Sequence, residues 1–275
     1  MTNRNGILTN LRKKILSHIP TIFLFALAAV TTCSPGRYAQ ISATSNLPLE
    51  WPELQDNYNL VTHKGFALAF DTAHRQARWV AYVLRAERTS EKEPRTNRFY
   101  PDPDLPGRTA TDSDYRKSGY DRGHLAPAAD MNWSAETLKE SFYYSNVSPQ
   151  KPEFNRGIWK KLESRVRTWA QQDSVLYVVT GPVLHDSLPR MGNSRVSVPA
   201  YFYKSIMVYK PGIKKAIAFI MRNESSAQNI EAFAVSVDSL ERFTGLNFFP
   251  SLPDKEEEQI EKSVCLPCWN LKRLD

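Results

Sequence analysis

The stretch YDRGHLAPAADMNWSAETLKESFYYSNVSPQKPEFNRGIWKKLE, residues 120–163, gathers the polar side chains best suited to chemistry in a chain of 275 residues. It holds Asp121-Arg122-Gly123-His124, then Pro127 and Asp130, then Ser145-Asn146-Val147-Ser148-Pro149-Gln150, and then Asn155-Arg156-Gly157-Ile158-Trp159 ahead of Glu163. Ser134 is a residue type that caps helix N-termini, and Leu138, Phe142 and Tyr143 follow at helical spacing, predicting a helix to about Tyr144. Ile158, Trp159, Leu162, Val166 and Trp169 make one apolar stripe, predicting a second helix over about 157–170. A third is expected between 227 and 244. No dinucleotide-binding glycine loop, P-loop or GxSxG elbow accompanies these segments.

Outward from this stretch the pattern changes to strands. Residues 65–70 and 77–84 are short apolar runs separated by a polar turn, as in an antiparallel hairpin. Residues 175–180, 201–209 and 215–221 are further β-rich runs, the last two joined across Pro211 and Gly212. Several are apolar on both faces, so the sheet is expected to be covered on both sides. Hairpins mixed with helices predict an α+β fold: a mainly antiparallel sheet flanked by helices.

Hydrophobic residues make up 41% of the chain and charged residues 24%, a balance that excludes disorder for its bulk. The only long apolar segment lies near the N-terminus, which excludes a polytopic membrane protein. The formal charge is +7. Residues 1–33 contain Arg4, Arg12, Lys13 and Lys14 and no acid, and without them 32 basic residues face 29 acidic ones, or +3. Global charge therefore says little about a polyanionic partner, and the case rests on a site.

Residues 1–33 read as a signal segment, basic through Lys14 and then apolar over 22–30, with an uncleaved anchor or an organellar presequence as alternatives. Cys33 stands where bacterial lipoprotein signals carry their lipidated cysteine, although Thr32 occupies a place usually held by Gly, Ala or Ser. Export to the periplasm, the exterior or a membrane-anchored state is expected, with mitochondrial import as the alternative. Residues 34–56 read as a linker, 57–253 as the catalytic domain and 254–275 as a tail with a CxxC. Cys265 and Cys268 cannot build a tetrahedral zinc site alone and lack the strand-then-helix context of a redox catalyst, so a structural disulfide is expected.

At these residues the sequence resembles the DNA/RNA non-specific endonucleases of the ββα-metal class. DRGH, the step from Asn146 to Pro149-Gln150, and Asn155 followed eight residues later by Glu163 stand in the family's order and spacing. The similarity runs from about Tyr58 to Pro250 and includes Val179-Thr180-Gly181-Pro182, Val198-Pro199 and Thr244-Gly245-Leu246. It implies a ββα-metal active-site motif and a metal-dependent endonuclease acting on DNA and RNA, with Mg²⁺ as the ion and Mn²⁺ as an alternative.

Phosphodiester hydrolysis needs an activated water, neutralisation of charge on the phosphoryl oxygens and help for the leaving oxygen. His124 matches the family's general base, and nearby arginines and an ion would disfavour its imidazolium. Asn155 matches the position that holds the ion; the competing role is to cap a helix starting near Gly157. Glu163 would be about 12 Å further along a straight helix, which argues for a role through water, against the plain alternative of pairing with Lys160 or Arg167.

Arg122 and Arg95 match the family's phosphate contacts, guanidinium forks being suited to phosphate oxygens. Arg98, three residues from Arg95, could supply the same fork. Arg98, Arg167 and Asn146 stand on the substrate side of the site, Arg167 toward the nucleic-acid backbone and Asn146 as a hydrogen-bonding brace. Asp121 is expected to pair with a basic residue or anchor the turn, and Gly123 to permit a close approach. The rival function is a non-catalytic nucleic-acid-binding or envelope protein of the same fold; loss of His124, Asn155 or Arg122 would have favoured it, and all three are present.

Overall fold

The long apolar runs pair first with their neighbours in sequence. The computed structural model describes residues 47–55, 58–90, 93–94 and 98–272. Its strands are β1 (Asn59–Thr62), β2 (Ala67–Asp71), β3 (Gln76–Arg85), β4 (Asp121–His124), β5 (Val147–Gln150), β6 (Val175–Pro182), β7 (Arg190–Met191), β8 (Val196–Ser197), β9 (Tyr201–Lys210), β10 (Ile213–Arg222) and β11 (Ala234–Val235). Its α-helices are α1 (Asp112–Tyr115), α2 (Ala135–Ser141), α3 (Pro152–Phe154), α4 (Lys160–Asp173), α5 (Val237–Thr244) and α6 (Asp254–Glu261). The main sheet runs β1-β2-β3-β6-β9-β10-β11, with every pair antiparallel. The β9–β10 hairpin turns at Pro211 and Gly212, whose φ of 80° is one that a side chain tolerates poorly. The architecture is the α+β fold expected.

Strand alternation sends side chains to two separate cores. On one face Val80, Tyr82, Phe202, Ile206 and Val208 pack with Trp159, Leu162, Val166 and Trp169 from the α4 stripe. On the other, Trp79, Ala81, Tyr203 and Met207 pack with Val237 and Leu240 of α5 and Ile260 of α6. Burying such side chains contributes about 1.5–3 kcal/mol each, so the stripe alone holds α4 firmly on the sheet.

Several boundaries differ from the sequence reading. The second helix begins at Pro152, a residue suited to a first turn, and passes through an irregular, π-like segment, Asn155–Trp159, that kinks at Gly157 before α4. The expected third helix is a 3-10 turn, Ile230–Phe233, then β11 and α5. Ser134 does cap α2, accepting from the Thr137 amide at 3.2 Å, but the helix ends at Ser141. Leu47 and Trp51, assigned to a linker, are buried in the second core, with Trp51 6.3 Å from Trp79 between ring centres.

Residues 254–272 are likewise no free tail. Ile260 enters the second core, while Trp269 and Leu271 enter the first. Trp169 Nε1 donates to the Trp269 carbonyl at 2.8 Å. Cys265 and Cys268 form a disulfide, as expected. The proposed signal segment with Cys33, and residues 34–46 of the linker, lie outside the described residues, as does Arg95. Among the described residues no helix is long and apolar enough to cross a membrane.

Candidate active site

DRGH is the whole of strand β4, and it pairs antiparallel with β5 in the register Asp121↔Gln150 to His124↔Val147. The two-residue period sends Arg122 and His124 to one face of this ribbon and Asp121 and Gly123 to the other. Gly123 lies against fully buried Gln150, whose side chain a Cβ at position 123 would overlap. The ribbon is tied down by buried polar groups. Ser148 Oγ donates to Gln76 Oε1 at 2.5 Å, and Asn223 Nδ2 donates to the carbonyls of Pro149 and Pro199 at 3.1 and 2.9 Å.

Asn146 is completely buried and spends its amide on backbone: Oδ1 accepts from Ala126 N, and Nδ2 donates to Ala126 O and Ser141 O, each at 2.9 Å. Its place on the substrate side is therefore corrected. It braces the chain immediately after His124 and is out of reach of a polynucleotide.

His124 packs against two aromatic rings that also touch each other, 5.3 Å from Phe99 and 4.8 Å edge-on to Phe142, which are 5.1 Å apart. Arg122 shares that face, with its guanidinium 5.4 Å from the Phe99 ring and 5.5 Å from Tyr115. Its Nε donates to Tyr144 Oη at 3.2 Å and one Nη pairs with Asp112. A guanidinium has five N–H groups, so three of those on Arg122 are not taken up by these two bonds.

Across the ribbon, Arg156 grips Asp121 with two bonds of 2.8 and 2.6 Å, and Asn155 Nδ2 donates to the same carboxylate at 2.9 Å. Burial would raise Asp121, but Arg156 and Asn155 outweigh it and hold the carboxyl below its ordinary value. An ionised carboxylate only accepts, so the NH₂ of Asn155 must face it and Oδ1 is the atom left for an ion. A neutral oxygen ligand suits a hard cation such as Mg²⁺ that keeps most of its water. The capping alternative is ruled out: Asn155 has helical angles of −56° and −48°, inside a run begun at Pro152, and its backbone amide donates to Lys151 O.

Glu163 lies on α4, half-buried. The run from Asn155 to Glu163 is not the straight α-helix assumed for the 12 Å figure, since the π segment intervenes and Gly157 leaves helical angles at −100°, −113°. The charge of Glu163 acts on Tyr82, Arg167 and Lys204. Arg167 also departs from expectation. It is turned inward, with Nη1 on fully buried Asp130 at 2.9 Å and Nη2 on Ser164 Oγ at 3.1 Å. Tyr82 from β3 donates to the other Asp130 oxygen at 2.9 Å.

Fully buried Lys204 of β9 completes this group, 4.9 Å from the Trp159 ring. Burial pushes its ammonium down to about 8, against the pull of Glu163 and Asp130. A polar network thus joins α4 to the sheet behind the site. The one visible sign of it in the sequence was a lysine in the midst of an apolar strand.

The solvent side of the same helix carries Arg156, Lys160, Lys161 and Arg165 around a shallow depression of about 520 Å³. Such a basic stripe is what a phosphate backbone follows. Sequence reading passed over it because alternate charges on a helix are ordinarily just solvated. Exposed Arg98 lies 5.3 Å over the Tyr100 ring. His63, Asp102 and Asp104 also converge, but buried Asp102 is already bonded by His63 at 3.0 Å and by Ser145.

Comparison with known proteins follows this geometry. The family model described as DNA/RNA non-specific endonuclease matches residues 52–255. The mitochondrial nuclease EXOG of Danio rerio is 37% identical over 206 residues, which cover 69% of this chain and 60% of that protein. A nuclease of Nostoc sp. is 34% identical over 221 residues, covering 76% and 79%. The crystal structure of an EndoG/EndoGI complex superposes with a TM-score of 0.69 at 31% identity, covering 75% of this chain and 90% of that one. The chain thus spans under two thirds of the Danio rerio relative's length.

Proposed function

As the chain belongs to the DNA/RNA non-specific endonuclease family, we propose that it is a metal-dependent endonuclease hydrolysing phosphodiester bonds in DNA and RNA. The observation that carries this reading is the β4–β5 ribbon leading into the Asn155 helix. It presents His124 and Arg122 on one face, with the amide of Asn155 oriented by Asp121. In the reaction, His124 takes the proton of the attacking water as its oxygen bonds to phosphorus and the bond to the leaving 3′ oxygen breaks. Phe99 and Phe142 hold the imidazole plane for that transfer.

Arg122 neutralises charge growing on the phosphoryl oxygens through its remaining N–H groups, and Arg95 or Arg98 supplies a second fork. Asn155 Oδ1 would hold the ion, Mg²⁺ or alternatively Mn²⁺, which supplies Lewis-acid stabilisation of the same charge. Glu163 would serve that ion by holding one of its waters. Lys160, Lys161 and Arg165 follow the polynucleotide backbone without reading bases, which suits a substrate range spanning DNA and RNA. Purified protein should degrade both plasmid and RNA with Mg²⁺ and neither with EDTA. Intact substrates in Mg²⁺ would overturn the reading.

For location, the reading is export, with lipid on Cys33 anchoring the enzyme to a membrane. The basic-then-apolar residues 1–33 support it, and the Cys265–Cys268 disulfide suits an oxidising compartment. Mitochondrial import is the alternative, after the relatives so named. Detergent phase partitioning should send the parent to the detergent phase and Cys33→Ser to the aqueous phase; both in the aqueous phase would refute the lipid anchor.

A further inference from the structure

On the sheet face opposite α4, the packed helices α5 and α6 bring together an unusual density of negative charge. Asp238 and Glu241 of α5 and Glu261 at the end of α6 place carboxylate oxygens within 4.8 Å of one another. Glu257, one turn before Glu261, feels Glu241, Asp254 and Glu53 as further negative neighbours. The cation acting on Glu241 is Arg242, which donates to Ser239 Oγ at 3.0 Å. We propose that Asp238, Glu241 and Glu261 form a structural site for a calcium-sized divalent cation that ties α5 to α6, with Glu257 at its edge.

Three observations carry this. The first is Glu261 itself, only 4% exposed, with Oε1 buried and without a hydrogen-bond partner among the described residues. A buried carboxylate is costly unless a donor, a proton or a cation meets it. The second is spacing. Two ligands facing one another across a calcium ion, with bonds of about 2.3–2.6 Å, stand about 4.6–5.2 Å apart, so the oxygens already lie close enough to share one ion.

The third is the donor set. Mg²⁺ is usually held by one or two carboxylates and a substrate phosphate, whereas several carboxylates from a protein cage suit Ca²⁺. Glu241 is also fixed in place, with Oε1 accepting the Phe248 amide at 2.8 Å. The crowding raises Glu261 to about 9, burial first and Glu241, Glu257 and Asp238 after it, and raises Glu257 to about 7.

The main sheet separates this site from the catalytic helix, so it stands or falls independently of the nuclease reading. The test is thermal unfolding of the full chain titrated with CaCl₂ alone, in the parent, Asn155→Ala and Glu261→Gln. At a hundredfold excess over Kd, Ca²⁺ should raise the Tm of the parent and Asn155→Ala by about 5–10 °C. Glu261→Gln should lose the shift while still cleaving plasmid in Mg²⁺ at the parent's rate.

If Glu261→Gln does not fold, Asp238→Asn, at a half-exposed position, takes its place with the same expectation. No shift in the parent would overturn the proposal and mean that a shared proton neutralises the cluster. A shift that survives the α5 or α6 substitution, or that is lost only in Asn155→Ala, would also overturn it by placing Ca²⁺ elsewhere.

Discussion

Replacing His124 with alanine lowers the rate of plasmid cleavage by about 10²–10⁴-fold, the range that a positioned general base contributes. Binding should change far less, because the groups proposed to meet phosphate are Arg122 and the basic side of α4. The measurement is a single-turnover digestion beside a gel shift in EDTA, where cleavage is silent. Removing the imidazole also leaves a void beside the Phe99–Phe142 pair, so the melting temperature of the variant is measured in parallel. Cleavage by the variant at a rate comparable with the parent would remove His124 from proton transfer.

Asn155→Ala has a second large effect, and its size separates binding of the ion from folding. The variant gives up one hydrogen bond to a carboxylate that Arg156 still grips twice, a stability cost of about 1.5–3 kcal/mol. Loss of the proposed ligand oxygen should cut kcat/KM at fixed Mg²⁺ by at least about 10²-fold, or about 2.7 kcal/mol in barrier. Activity should recover in part at high Mg²⁺. Glu163→Gln should fall less, since an amide still holds a water. An unchanged Mg²⁺ titration in Asn155→Ala would leave that residue as a mere anchor for Asp121.

What the sequence made legible was whatever depends on local period. The β2–β3 and β9–β10 hairpins, the α4 stripe and the Ser134 cap could be read because alternation, 3.6-residue spacing and a capping side chain are properties of short windows. What escaped depends on partners far along the chain. Arg167 looked like a surface arginine until Asp130, 37 residues earlier, claimed it. Trp51 is a lone aromatic in an aperiodic stretch, and nothing near it announces Trp79. Helix α6 is nearly all charge, so its one deep anchor, Ile260, gave no stripe. The role of Asn155 could be inferred from family resemblance, but the orientation of its amide follows only from where Asp121 sits.

The kink at Gly157, within Asn155–Trp159, shifts the phase of the helix. At about 100° per residue, an unbroken α-helix would rotate Asn155 into the middle of the arc occupied by Trp159, Leu162, Val166 and Trp169, pointing it at the sheet. The chain instead kinks at Gly157, whose angles of −100° and −113° are not helical, so Asn155, ahead of the kink, is out of phase with that arc and its side chain meets Asp121. One helical run thereby answers two incompatible demands, the solvent-facing amide proposed to hold the ion and an apolar stripe facing the core. The kink at Gly157 therefore sets the angle between the two faces, and a helix running unbroken through it would turn the amide of Asn155 toward the core.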